Sequence, residues 1–167
     1  MRVIEGVAAV EDLDSFLSAV TGVADDHGVT VQVFDARYVV DREHLERAVE
    51  RADRAIARGE NVARERSVEI LCYAAGRRQI EEALTVGVEE GRTPVVAVVD
   101  DADGDAARER AASEAVAALL DPAETLGAFD AERVRSFFDV SDAELGVVDG
   151  DLAALVHERV ALLDVEK

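Results

Sequence analysis

The chain of 167 residues has no tryptophan, one cysteine (Cys72), two prolines (Pro94 and Pro122) and one lysine, Lys167. A lone cysteine excludes an intramolecular disulfide and a thiolate metal cluster. Aromatics make up 4% of the residues against 49% hydrophobic, so the core has to be built from Ala, Val, Leu and Ile. No stretch approaches the ~20 apolar residues of a membrane-spanning helix. The start, Met1-Arg2-Val3-Ile4-Glu5-Gly6, has no apolar run of signal-peptide length. A cytoplasmic protein with no membrane partner is therefore expected, and its length fits one domain.

What is abundant is negative charge. Asp and Glu number 37 against 18 Lys and Arg, a formal net charge of -19. The acids are spread along clearly patterned segments, which argues against a disordered acidic tail. A folded protein from a molar-salt cytoplasm, that of a halophile, is the better reading. There, self-repulsion is screened over about 3 Å and a carboxylate surface keeps the protein hydrated. Global acidity then reports habitat and does not exclude an anionic partner.

The apolar patterning predicts an α/β fold: one domain, with a small mixed sheet of three to five strands packed with six to eight helices. Residues 2–9 and 29–35 read as strands. Residues 94–99 form a continuous apolar run, as in a central strand covered on both faces. Residues 11–26 read as a helix stopped by His27-Gly28. Asp41 is placed to cap a second helix whose stripe is Leu45, Val49, Ala52 and Ile56, with Gly59 at its end. Helices are also predicted over 65–75, over 77–88 with Ile80, Ala83 and Leu84 inward, over 106–120, over 130–138 and over 150–159. Ser141-Asp142-Ala143-Glu144 has the form of a capping box. Residues 160–165 fit either a last strand or a further helical turn.

Candidates for chemistry are scarce. His27, His44 and His157 lie outside metal-ligand spacing of one another and of Cys72. They read as a helix-end residue, a first-turn surface residue and the polar side of an amphipathic helix. Cys72 falls on an inward helix face, as a buried thiol would. Asp100, Asp101, Asp103 and Asp105 resemble a calcium loop, but the glycine is misplaced and the closing Glu is missing, so a solvated acidic turn is expected. No phosphate loop or nucleophile elbow occurs. A binding protein without catalytic residues, cofactor, metal or small-molecule substrate is the expectation.

One window departs from the overall charge. Residues 51–78 hold Arg51, Arg54, Arg58, Arg64, Arg66, Arg77 and Arg78 against Asp53, Glu60, Glu65 and Glu69, a local +3. Arg77 and Arg78 follow Gly76 and open the predicted helix over 77–88, where the helix dipole disfavours cations. A bound phosphate would explain them. Gln79 adds an amide able to read a base edge, and Tyr73 a ring for stacking. The plainer reading is that these arginines pair with nearby acids on a solvated face, and the sequence weighs the two evenly.

Two segments go further: Phe34-Asp35-Ala36-Arg37-Tyr38-Val39-Val40, and Val68-Glu69-Ile70-Leu71-Cys72-Tyr73-Ala74-Ala75-Gly76-Arg77-Arg78-Gln79-Ile80-Glu81-Glu82-Ala83-Leu84. With the helix between them, they resemble the smallest subunit of the KEOPS complex, the PRPK-binding protein family, well over roughly residues 30–100 and loosely over the rest. KEOPS installs threonylcarbamoyl on an adenosine beside the anticodon of certain tRNAs. The resemblance implies a non-catalytic accessory subunit that docks on a small kinase-like ATPase and binds tRNA by its 3′ acceptor end. It implies a tRNA surface at Gly76, Arg77, Arg78 and Gln79 with the flanking Arg64, Arg66 and Tyr73. It also implies kinase docking through Leu155, Val156, Val160 and Leu163, for which plain core burial is the alternative. Ala75 departs from the small hydroxyl residue that many relatives carry there. A protein-only regulator of the kinase, and more distantly a small α/β enzyme, remain the competing readings.

Overall fold

The computed structural model describes residues 1–166. Among the described residues the chain forms eight α-helices and four strands. They fall into two compact units: Met1–Ala36 with Gly87–Thr125, and Arg37–Val86 with the chain from Leu126 onward.

The first unit is an antiparallel sheet with two helices. Its strands are β1 (Arg2–Val10), β2 (Thr30–Asp35), β3 (Gly91–Asp100) and the short β4 (Asp121–Pro122), in the order β2-β3-β1-β4. β1 and β3 form the longest ladder, with Arg2 opposite Val99 and Val10 opposite Gly91. Val95 to Val99 are all 0% exposed, which is why residues 94–99 read as a continuous apolar run. Helices α1 (Leu13–His27) and α5 (Ala106–Ala117) close the core, which combines Val20, Val31, Val33, Val95, Ala97, Val99, Ala112 and Val116. Asp12 caps α1, and Gly28 ends it in the left-handed region at φ 65°. At Gly6 the sheet edge comes so close that a Cβ would lie 2.8 Å from the Asp121 carbonyl oxygen. The acidic turn differs from expectation. Asp101 is 5% exposed, and its carboxylate accepts from the backbone N–H groups of Asp103 and Asp105 at 3.3 and 2.9 Å. It organises the turn from inside instead of being solvated.

The second unit is helical: α2 (Arg42–Ala57), α3 (Arg66–Ala75), α4 (Ile80–Ala83), α6 (Ala131–Phe137), α7 (Asp142–Val147) and α8 (Leu152–Glu166). Leu45, Val49 and Ala52 of α2 are buried as the stripe predicts, while Ile56 at the end of it is 39% exposed. Asp41 caps α2 by accepting from the His44 N–H at 2.8 Å, and the capping box at Ser141 and Glu144 is formed. Residues 160–165 continue α8 as helix. The helix predicted over 77–88 is broken. It survives as the four-residue α4 and a 3-10 turn, Leu84–Val86, with Ala83 buried but Ile80 and Leu84 exposed. Gly76 redirects the chain before α4, and a few apolar positions at helical spacing are too few to sustain a helix. No described helix is long and apolar enough to cross a membrane.

Polar groups anchor this unit as firmly as apolar ones. Glu69, 0% exposed, accepts from the N–H groups of Val62 and Ala63 at 3.1 and 3.0 Å and so ties the loop before α3 to that helix. His44 is buried, not on the surface as its first-turn position suggested. Its Nδ1 accepts from the Val40 N–H at 3.3 Å, which leaves Nε2–H to donate to the Ala74 carbonyl at 2.7 Å. Burial pushes its pKa down to about 4, against the opposing pull of the Ala74 bond, so the imidazole is neutral near pH 7.

Candidate functional site

α3 ends at Gly76, whose φ of 61° is the left-handed conformation that glycine adopts without a Cβ penalty. The Arg77 N–H returns to the Cys72 carbonyl at 3.1 Å and the Gly76 N–H to that of Tyr73 at 3.0 Å, a Schellman-type close. Arg77 and Arg78 therefore follow the carbonyl end of a ten-residue helix, where cations are favoured. The structure corrects the argument that they stand at the start of one.

Arg77 reaches the far end of α6. Its Nη2 donates to the Phe137 carbonyl, and its guanidinium carbon sits 4.6 Å from the centroid of the Phe137 ring. Its Nη1 donates to Glu82 at 3.3 Å. Arg159 of α8 approaches the same chain end, donating from Nε to the Phe138 carbonyl and from Nη2 to the Asp139 carbonyl, each at 3.1 Å. Its Nη2 is also chelated by Glu144, at 3.0 and 2.8 Å. That arginine is the leading cause of a Glu144 pKa below the usual carboxylate range. Between these groups lies an open cleft of about 350 Å³, whose walls include Gly76, Arg77, Glu82, Phe138, Asp139 and Arg159. Arg78 and Gln79 are exposed at its rim. The lining offers guanidiniums and an amide, a set suited to holding an anion, while the Phe138 ring is 4% exposed and stays part of the core.

The other expected tRNA contacts are elsewhere. Arg66 opens α3 and so stands roughly 15 Å from the Gly76 end. Its fork is taken by Asp53, at 2.7 and 2.9 Å. Arg64 is exposed in the loop before it. Tyr73 is 0% exposed, so its ring has no face for a base. Its hydroxyl donates to Asp164, whose other oxygen takes Arg51 at 2.8 Å. Burial, then that hydrogen bond, raises the Tyr73 pKa. In the proposed docking segment, Leu155, Val156, Val160 and Leu163 are at most 3% exposed. They hold α8 down on its own unit, and the face that α8 offers outward carries Ala154, Glu158, Leu162 and Val165.

Among the described residues, Asp41, Glu43 and His157 form a group that could hold a metal ion, with ligand atoms within 4.8 Å of one another. Each already has a partner. His157 Nε2 is 2.9 Å from Asp41, which also caps α2, and Arg47 takes Glu43 at 2.8 Å. The arrangement is read as a polar tie between α8 and the start of α2.

Nothing in the local pattern links residue 77 with residues 137, 144 and 159. Phe137 and Phe138 fall in the helix predicted over 130–138, and Arg159 ends the one predicted over 150–159. The family described as kinase binding protein CGI-121 matches this sequence over residues 8–164. No curated protein sequence matches it closely. With a match that takes in both units, the chain belongs to the CGI-121 family of kinase-binding proteins.

Proposed function

We propose that this protein is a non-catalytic accessory subunit of a KEOPS-type complex for tRNA threonylcarbamoyladenosine modification. It docks on the kinase-like ATPase subunit and holds tRNA by its 3′ acceptor end. The kinase-binding family match over residues 8–164 carries this reading, together with the resemblance of the segment from Val68 to Leu84. α8 is the docking element, through Leu162 and Val165, which are 37% and 79% exposed, while its buried residues fix its position. The cleft beside Gly76 is the tRNA site, with Arg78 and Gln79 at the entrance. A net charge of -19 favours a second reading, in which the protein regulates the kinase without touching RNA.

Co-elution with the kinase subunit on size exclusion tests the first part. Leu162→Glu/Val165→Glu should abolish it and Arg78→Glu should leave it intact. Retained co-elution of the double variant would place docking elsewhere. The tRNA part is tested by binding at high potassium salt, with intact and 3′-trimmed tRNA, for wild type and Arg77→Glu/Arg78→Glu. Binding that needs both the 3′ end and the arginines supports it, and no binding leaves the protein-only regulator.

A further inference from the structure

Arg77 and Arg159, two of the three arginines that line the cleft, are held in different ways, and the difference assigns opposite roles to their acidic partners. Arg77 is fixed from behind by the Phe137 carbonyl and ring. Its Nη1 turns to Glu82, which itself lines the cleft. Glu82 therefore occupies the side on which a ligand would sit. A carboxylate and a phosphate present the same kind of paired oxygen acceptors to a guanidinium, so Glu82 stands where a phosphate oxygen would go. The contact is long for a charged pair, at 3.3 Å, and the Glu82 side chain is 46% exposed, so it is readily given up. Glu144 is outside the lining and chelates Arg159 through both oxygens. It aims the guanidinium at the carbonyls of Phe138 and Asp139 and keeps it at the cleft wall.

Resting on the reading of this cleft as an RNA site, we infer that Glu82 is a built-in competitor for the RNA phosphate at Arg77, and that Glu144 is a positioning residue for Arg159. Removing either acid makes the protein less negative, which by itself can only help an RNA bind. The geometry separates them. Loss of Glu82 frees a donor that already faces the ligand. Loss of Glu144 lets Arg159 swing off the wall. The competitor also sets selectivity: a ligand must supply more than one anionic oxygen to displace it, through a base edge at Gln79. Simple anions cannot.

The test is anisotropy titration of the full-length protein with a fluorescein-labelled tRNA transcript with an intact 3′ end, at high potassium salt. The variants are Glu82→Gln, Glu144→Gln and Glu81→Gln, the last removing the same charge from an adjacent exposed position. An exposed ion pair is worth up to a factor of about five, so Glu82→Gln should tighten binding by about two- to five-fold. Glu81→Gln should change it by less than about 1.5-fold, its charge being screened. Glu144→Gln should weaken binding by about two- to five-fold although it removes a negative charge. Glutamine still completes the capping box with Ser141, and a thermal melt checks that the variant is folded. Equal gains for Glu81→Gln and Glu82→Gln would mean that only overall charge matters, and would overturn the competitor role. A gain for Glu144→Gln would overturn the positioning role. If wild type itself does not bind, the reading of the cleft falls and this inference with it.

Discussion

The sheet unit buries an apolar strand at 0% exposure and the helical unit buries a carboxylate at 0%, by different means. β3 is buried from Val95 to Val99 by aliphatic packing, with no side-chain polar group to satisfy. The helical unit buries Glu69 and His44 and meets each with hydrogen bonds to backbone groups, those of the nearby loop for Glu69 and that of Ala74, 30 positions on, for His44. Burial along β3 is a matter of hydropathy. At Glu69 and His44, as at Asp101 in the sheet unit, it is a matter of matching, and a polar group is tolerated only because its partners are in place.

The most severe way to break that contrast is to put a carboxylate into β3. Ala97→Asp should cost roughly 4 kcal/mol or more, since no N–H groups await it. A denaturant titration that gave less than 2 would mean that the sheet core is not dry. The converse experiment is Glu69→Ala, which strands the N–H groups of Val62 and Ala63 and should cost roughly 2–4 kcal/mol. Glu69→Gln keeps an acceptor and should cost about half as much. If both cost the same, the bonds to the loop are not what Glu69 supplies.

The buried imidazole adds a pH dependence of its own on the acid side of neutrality. The His44 pKa is about 6.5 unfolded and about 4 folded, so the unfolded chain binds more protons between these values. Stability should therefore fall as pH drops from about 6.5 to 4, by about 3 kcal/mol at most. His44→Gln should flatten this part of the profile in urea titrations run across the window, and an unchanged slope would show that other groups carry it. The smallest effect is expected at the surface. Arg66→Gln should change stability by no more than about 1 kcal/mol and leave tRNA binding unaltered. A clear loss of tRNA binding would extend the RNA surface to the far end of α3.

The same contrast explains what could be read in the sequence. Strands β1, β2 and β3, the stripe of α2, the cap at Asp41 and the capping box at Ser141 all depend on residues within a turn or a strand of each other, and all are present. His44 reads as a surface residue because its partners, Val40 and Ala74, include one 30 positions away. Tyr73 reads as a ring for stacking because its hydroxyl partner, Asp164, lies 91 positions on. The basic window was real as a count, yet α3 carries Arg66 and Arg77 to opposite ends, and only the Gly76 end meets Phe138 and Arg159. Charge counted along a chain says nothing of which arginines share a wall.

The register of the sheet also sets an order in time. β1 pairs with β3 from Arg2 opposite Val99 to Val10 opposite Gly91, so the first strand made must wait for some eighty residues of chain before its neighbour exists. Closing so long a loop is slow relative to forming local helices. During synthesis, the segment between Arg37 and Val86 emerges with α2 and α3 complete while β1 is still unpaired. Its exposed edges would then be the species for chaperones to shield, and the slow step of refolding should follow the β1–β3 ladder, with helical signal leading it.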